Sequence, residues 1–398
     1  MILIITSLLL SSILILISVN YTKVAFAFST AFLSLVGLLF DPYIAQSNGV
    51  YTDLVRFFNE LQLIKTYNLG DVLSSSVEPF KSLYSGMFVN NIIMFLVSKT
   101  GNLHLLPFLS VLAFYSILYI QLYKESKRNR LNKYSVLIIL WLVYALINIT
   151  SPMDNIRNPF TSLVGSILLY NNLINDLSIM NAGIGYIIIF FIHPSSIIFP
   201  ILNLIVKISN KWMKYIFVIA TFVFFIFSYQ ISSILLRIVP SGSTFSDVVN
   251  KLNSYSGGQA DLISYGTITQ KAILWLTAIV MIFVLYFFNK HTKNTMNRFS
   301  DACIFFITIF VATSLFSVHM FFRFGFILSI LILLMLPTVF RATSNNFNYN
   351  FHINSRIPIS YFSLYILLII TIIINLSWYF GTYAYQSINL GGMISGFR

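Results

Sequence analysis

Three charged side chains with helical spacing are the first residues that could do chemistry. Asp53, Arg56 and Glu60 stand at positions i, i+3 and i+7 of one segment, so a helix would bring them onto one face. A carboxylate in this group could accept a proton, and the guanidinium could bind a phosphate or a second carboxylate. The alternative is an amphipathic surface helix whose charges only pair with each other.

Two further candidates lie at turns between apolar segments. Arg157 follows a polar turn and opens an apolar segment. A guanidinium beside a helix N-terminus suits phosphate oxygens, although this one could instead only extend to the membrane interface. His193 precedes Pro194 and Ser195, and the proline ends a helix there. Its imidazole could be a general base or a donor to a phosphate or sugar hydroxyl, or it could be a structural cap.

Arg323 is surrounded by apolar residues, with His319 one turn before it and no acid nearby in the sequence. An ionisable residue inside a membrane segment is costly and is taken as functional by default, so we predict a role for Arg323. Arg237, Tyr255 and Tyr265 belong to a long polar segment that contains a Gly-Gly pair. The glycines favour mobility, and the tyrosine rings could stack on sugars.

The composition places these candidates in a membrane protein. Of 398 residues, 58% are hydrophobic and 9% are charged, against roughly 25% charged residues in ordinary soluble domains. The mean hydropathy is +0.85. The single cysteine, Cys303, excludes a disulfide scaffold. The net charge of +13 comes from basic residues in short gaps between apolar segments, which is a pattern that orients a membrane protein and does not form a nucleic-acid-binding face.

Sequence motifs for metals and nucleotides are absent. The chain has no Gly-rich phosphate loop, no His-Glu-x-x-His, no paired cysteines, no Gly-x-Ser-x-Gly and no Asp-x-Asp. We therefore expect no metal and no cofactor, and we do not expect the metal-dependent use of a nucleotide-sugar donor.

Apolar segments of about 20 residues can cross a bilayer, and the sequence predicts one all-α, polytopic membrane domain over residues 1–398. Two long connections, 41–82 and 237–270, are predicted to face outward. The segment 83–98 is predicted to lie in the interface or to re-enter, although it could cross if another short segment does not. We predict about twelve transmembrane helices (11–14), at 2–19, 24–40, 103–123, 134–150, 159–175, 178–193, 195–208, 214–236, 271–289, 299–318, 324–339 and 359–380.

Lysine and arginine in the connections predict the orientation. With the basic connections, such as 124–133, on the cytoplasmic side, that side has 14 Lys and Arg against 3 acids, and the outer side has 10 against 8. This excess agrees with the positive-inside rule. Asp53, Arg157, His193 and Arg323 are then all predicted on the outer side of the membrane.

The order of these motifs resembles a known family. Two spans precede a Gly…Asp-x-x-Arg-aromatic segment at 49–58 and a Glu-Pro-aromatic step at Glu78. A basic connection, an Asn-x-Arg step at Arg157 and a helix pair joined at His193-x-Ser195 follow. The pattern resembles the EpsG-like branch of the Wzy-type polysaccharide polymerases, which are relatives of O-antigen polymerases and ligases.

The resemblance implies a GT-C-like fold and a metal-independent, inverting glycosyltransferase in the bacterial cytoplasmic (inner) membrane. Such an enzyme moves a growing glycan from undecaprenyl diphosphate to the non-reducing end of a new lipid-linked repeat unit, on the outer or periplasmic face. The product would be O-antigen of lipopolysaccharide, or capsule. The implied partners are the two undecaprenyl-diphosphate-linked oligosaccharides, the lipid bilayer and a chain-length-regulating co-polymerase.

On this hypothesis, Arg157 and Arg323 bind the diphosphate leaving group, and His193 or Asp53 serves as the base. Alternative functions are a flippase for the same lipid-linked units, a membrane acyltransferase acting on sugars, and a solute transporter. A flippase would show two similar halves, and an acyltransferase an early intramembrane histidine, and we find neither in the sequence. The substrate-binding candidates are Arg56, Glu60, Glu78, Arg237, Tyr255, Tyr265 and His319.

Overall fold

Helices form all the regular structure in the described part of the chain. The computed structural model describes residues 2–43, 53–74, 87–154, 156–208, 211–238, 249, 268–291, 297–348 and 359–382. No strand occurs in these ranges, so the predicted all-α class is confirmed. Two short 3-10 helices, Val19–Tyr21 and Pro194–Ile197, also occur. The α-helices are α1 (Ile2–Ile17), α2 (Thr22–Leu39), α3 (Asp53–Ile64), α4 (Leu69–Leu73), α5 (Phe88–Thr100), α6 (Leu105–Arg128), α7 (Lys133–Leu146), α8 (Thr150–Asp154), α9 (Arg157–Ile174), α10 (Ile179–Ile192), α11 (Ile198–Ile208), α12 (Lys211–Ile226), α13 (Ser228–Ile238), α14 (Ile268–His291), α15 (Asn297–Phe316), α16 (Val318–Asn348) and α17 (Ile359–Thr382).

Several of these helices are long and apolar enough to cross a membrane. In the described residues six pass by length and composition, namely α2, α6, α14, α15, α16 and α17, and the bent pair α12 and α13 would be a seventh span. Their outward faces carry large apolar side chains, such as Ile282, Phe362 and Ile373, each more than half exposed. A surface in contact with water rarely carries apolar patches of this extent. The chain is a multi-pass membrane protein.

Helix length does not confirm the predicted count of about twelve crossings. Five further apolar helices in the described ranges have only 10 to 17 residues. The longest of them, Leu3–Ile17, extends about 22 Å, against a hydrocarbon layer of about 30 Å. The segment 83–98 contributes α5, whose 13 residues extend about 20 Å. Twelve crossings and a GT-C-like fold therefore stay predictions.

The connection 41–82 contains α3, at the segment whose charged residues have helical spacing, and a second short helix, α4. Two other elements differ from the sequence prediction. The predicted span 214–236 bends by 75° between α12 and α13, where the Ser228 hydroxyl donates to the Phe225 carbonyl and so competes with the helical ladder. Arg323 lies inside α16, and not between two helices, because only Ser317 separates α15 from α16.

Helix α16 lies at the centre of the bundle. It packs against α6, α7, α9, α14 and α15, and its residues 330–336 are completely buried. A helix that is apolar on all sides takes such a central position. Gly325 lies against α14, and a Cβ at this position would come within 2.7 Å of Leu274 Cδ2. Arg323 lies two residues before this contact on the central helix.

Basic residues from connections predicted to face the cytoplasm meet at one end of the bundle, which we call the Lys207 end. Lys207 donates to Asn172, and Arg128 donates to Asn175. The opposite end contains the start of α9 and is called the Arg157 end.

A buried polar network fixes α9 against α6. Glu125 is 3% exposed, and its carboxylate accepts hydrogen bonds from Tyr170 Oη at 3.1 Å, Asn175 Nδ2 at 2.8 Å and Gln121 Nε2 at 3.3 Å. Three donors satisfy a carboxylate that has lost its water. Since α9 begins at Arg157, this network at the Lys207 end also sets where Arg157 lies at the other end.

Candidate functional site

Helix α3 is anchored at the Arg157 end, beside the end of α2 and the start of α6. Phe57 and Phe58 are each 1% exposed. His104 meets the Phe58 ring edge-on, with 5.3 Å between the ring centroids, and its Nδ1 lies 3.0 Å from the carbonyl oxygen of Phe40. The aromatic face of α3 therefore holds its charged residues in place.

Arg56 pairs with both acids of its own helix. Its Nη1 lies 3.5 Å from Asp53 Oδ1, and its Nε lies 3.6 Å from Glu60 Oε1. The three side chains share one face, as the spacing predicts. Glu60 is buried, and a buried carboxylate depends on such a partner. These contacts also fit the alternative in which the charges of α3 pair with each other.

Two guanidinium groups contact the ring of Phe57. The Cζ atoms of Arg56 and Arg157 lie 5.2 Å and 5.3 Å from its centroid, within the range of cation–π attraction. Arg157 Nη1 also lies 3.1 Å from Met87 Sδ. We call Asp53, Arg56, Phe57, Glu60 and Arg157 the Phe57 cluster, which brings together four of the residues predicted from sequence.

Asp154 connects the Phe57 cluster to a neighbouring cavity. Its Oδ1 accepts a hydrogen bond of 3.1 Å from the backbone N–H of Leu54, so it satisfies a donor in the first turn of α3. Asp154 ends α8, and Ser110 of α6 donates to the carbonyl of Pro152 in the same short helix. The Leu54 N–H thus holds the carboxylate, and Ser110 holds the backbone of the same short helix.

His193 caps the 3-10 helix Pro194–Ile197. Its Nδ1 accepts from the backbone N–H of Ser195 at 3.2 Å and lies 2.7 Å from Ser195 Oγ. This contact matches the structural alternative offered by the sequence. A neutral ring that accepts through Nδ1 carries its proton on Nε2.

A cavity of about 700 Å³ lies at the Arg157 end. Hydroxyl and amide side chains from α8, from the first turns of α9 and from the 3-10 helix line one part of its wall. Aromatic and aliphatic side chains of α11, α12, α15 and α16 line most of the remainder. Among the described residues that line it, two carry a charge, namely Asp154 and Arg323. The cavity is therefore amphipathic, with one carboxylate and one guanidinium.

Ser196 belongs to this wall, and its hydroxyl has no hydrogen-bond partner among the described residues. The residue is 3% exposed. Buried hydroxyls in proteins nearly always have a partner. A ligand hydroxyl or phosphate oxygen in the cavity could supply the partner of Ser196.

Only some of the predicted site residues line the cavity. Arg323 lines it, whereas Arg157 and His193 do not, although the adjacent Asn158 and Ser195 do. Within the described ranges, no group of three or more His, Cys, Asp or Glu side chains could hold a metal ion.

Of the predicted substrate-binding residues, Arg237 is not among the residues that line the cavity, and the side chains of four others lie outside the described part of the chain. Arg237 lies exposed in the last turn of α13. Glu78, Tyr255 and Tyr265 lie outside the described residues. His319 belongs to α16, but its side chain also lies outside the described part.

Asp154 and Ser196 are the site residues that the sequence reasoning missed. Both stand beside predicted candidates, because Asp154 shares a turn with Arg157 and Ser196 follows Ser195. The signal available in the sequence was that both residues stand in turns predicted to face outward. Helical spacing could not find Asp154, since its hydrogen-bond partner Leu54 is 100 residues away.

Comparison with protein-family models, curated proteins and solved structures gives no match. The fold and the site therefore define a class, which is an all-α, multi-pass membrane protein with an amphipathic cavity at one end of its bundle. Membership of the Wzy-type family stays a prediction from the sequence.

Proposed function

We propose that the protein is a lipid-linked oligosaccharide polymerase. It transfers a growing glycan from undecaprenyl diphosphate to the non-reducing end of a new lipid-linked repeat unit, on the outer face of the bacterial cytoplasmic membrane. The observation that carries the proposal is the amphipathic cavity, in which Arg323 and Asp154 are the charged residues of the lining that the structure describes.

The lining suits a ligand that joins a lipid, an anion and sugars. Phe217, Phe224 and Phe225 belong to α12, whose other faces carry exposed apolar side chains such as Ile219. A prenyl chain could lie against this wall, because burial of apolar surface is favourable. The hydroxyls of α8 and α9 supply partners for sugar hydroxyls.

Arg323 suits the leaving group. When the glycosidic bond to the diphosphate breaks, negative charge grows on the phosphate oxygen, and a guanidinium can stabilise it through two parallel hydrogen bonds. Electrostatic stabilisation of this kind is strong where water is excluded. Arg157 of the Phe57 cluster lies at the same end, whereas Arg56 of that cluster is already paired with Asp53 and Glu60. Arginine can take the role that a metal has in other glycosyltransferases.

The test is a pair of arginine variants on one helix. Arg323→Ala removes the guanidinium from the cavity. Arg341→Ala removes one from the exposed surface of the same helix, 18 residues or about 27 Å further along. In a deletion strain complemented with each gene, we expect Arg323→Ala to leave a single repeat unit on the surface polysaccharide gel, and Arg341→Ala to restore the full ladder.

The same gel separates the alternatives. Loss of even the single unit in the deletion strain would point to a flippase, and an unchanged ladder would point to a transporter or an acyltransferase. A normal ladder with Arg323→Ala, at wild-type protein level, would refute the assignment of Arg323 to the diphosphate.

A further inference from the structure

We propose that Asp154 is the general base of this site, and that it takes the proton from the acceptor hydroxyl. This inference rests on the proposed polymerase function. It assigns the proton transfer to a residue that neither helical spacing nor family resemblance indicated.

The lining of the cavity favours Asp154 over the two bases suggested by the sequence. A base must lie within hydrogen-bond reach of the proton it removes. Asp154 lines the cavity. Asp53 is not among the lining residues and instead pairs with Arg56 at 3.5 Å. His193 is also absent from the lining, and its Nδ1 accepts from the backbone of Ser195.

Asp154 is placed with the rigidity that a base requires. The Leu54 N–H holds Oδ1, and Ser110 holds the preceding Pro152 carbonyl from the buried helix α6. A carboxylate has two oxygens with about four acceptor positions. A carboxylate can accept from more than one donor at a time, so the hydrogen bond from Leu54 does not by itself exclude a sugar hydroxyl.

The step balances with the groups present. The oxygen of the acceptor hydroxyl forms a bond to the anomeric carbon of the donor, and its proton passes to the Asp154 carboxylate. The bond between the anomeric carbon and the phosphate oxygen breaks, and its electron pair stays on the leaving undecaprenyl diphosphate. Arg323 lines the same cavity and stabilises that charge, while Ser196 can hold a sugar or phosphate oxygen.

The decisive variant is Asp154→Asn. Asparagine keeps an oxygen that can accept from Leu54 N–H, but it cannot take up the proton. Its matched control is Asp71→Asn, since Asp71 also accepts from a backbone N–H, that of Asn68 at 3.2 Å, and does not line the cavity. Both exchanges remove one charge and keep one capping contact.

The assay uses full-length protein in proteoliposomes with a synthetic undecaprenyl-diphosphate-linked repeat unit. Initial rates of polymer formation are divided by the amount of folded protein, measured by fluorescence-detected size-exclusion chromatography. We expect Asp154→Asn to be at least about 100-fold slower than wild type, the range for loss of a general base. Asp71→Asn should stay within about twofold of wild type, and Asp154→Glu should recover part of the rate because it restores a carboxylate.

The outcomes separate this inference from the function on which it rests. Wild-type polymer formation with an unimpaired Asp154→Asn would overturn the role of Asp154 and leave the polymerase proposal standing. An Asp154→Asn rate no lower than that of Asp71→Asn would do the same. Absence of polymer from the wild-type protein would overturn the proposed function, and the base assignment with it.

Discussion

Phe57 offers a way to test whether the guanidinium cluster matters for function. Its ring contacts the guanidinium groups of both Arg56 and Arg157. Leucine at this position keeps an apolar side chain in a buried site but removes the aromatic face. The neighbouring Phe58 is equally buried, and among the described contacts no guanidinium stacks on its ring. Phe58→Leu is therefore the matched control for Phe57→Leu.

The structure sets the size of the expected effect. A cation–π contact contributes about 0.5–1 kcal/mol when exposed and about 2 kcal/mol when desolvated. Arg56 and Arg157 are both half-buried, so we take about 1 kcal/mol for each contact. Losing both costs about 2 kcal/mol, or roughly 30-fold in the population with correctly placed guanidiniums. The packing loss of about 1–2 kcal/mol is common to both variants.

The assay measures polymer formed from lipid-linked repeat units per amount of folded protein, and thermal unfolding in detergent. We expect Phe57→Leu to slow polymer formation about 10- to 30-fold, while Phe58→Leu stays within about threefold. The unfolding midpoint of Phe57→Leu should be the lower of the two, because this variant also loses the two cation–π contacts. Equal rates for both variants would refute the reasoning, because the loss would then come from packing and not from the placement of the guanidiniums.

The remaining predictions concern packing and charge around the site. Gly165→Leu should slow polymer formation and lower the unfolding midpoint, because a Cβ would lie 2.3 Å from the ring of Phe199 in the cavity wall. Its control, Gly183→Leu, should change neither quantity, because a Cβ at residue 183 would have no heavy atom within 4 Å. Glu60→Gln should lower the free energy of unfolding by about 1–3 kcal/mol, which is less than the loss of a fully buried pair because the Arg56 guanidinium is partly exposed. Asp53→Asn should lower it by less than about 1 kcal/mol, because the Asp53 side chain is 30% exposed. A larger loss for the aspartate would contradict this ranking.

The positions of the helices could be predicted from sequence, but not the number of crossings. The predicted segment 359–380 corresponds to the helix Ile359–Thr382, since apolar length alone marks such a segment. The predicted segment 134–150 corresponds to a shorter helix, Lys133–Leu146. Its apolar character continues into Ile147, which takes an extended conformation. Hydropathy does not register where the backbone leaves the helix, so it overestimates the helical length.

The charges in the connections predicted which residues share an end of the bundle. Arg128 and Lys207 were both predicted on the cytoplasmic side, and they lie at the same end through Asn175 and Asn172. At one end of the bundle, the shapes of the helix surfaces determine which helices pack against each other. Gly165, for example, admits the Phe199 ring between α9 and α11. Such a fit is a property of two surfaces together, and neither segment predicts it alone.

This difference explains why sequence spacing indicated Asp53 and missed Asp154. Spacing along one helix selects charges that meet each other, and Arg56 is in contact with the acids three positions before it and four positions after it. A catalytic charge must instead meet a substrate, so its counterpart comes from a distant segment. Asp154 and Arg323 share no helix, yet they line the same cavity. An unbalanced charge inside a membrane protein is costly, and two opposite charges at one cavity reduce that cost while leaving room for a diphosphate and a hydroxyl. In a chain with so few acids, a carboxylate that lines an amphipathic cavity is therefore a better candidate for chemistry than one paired on its own helix.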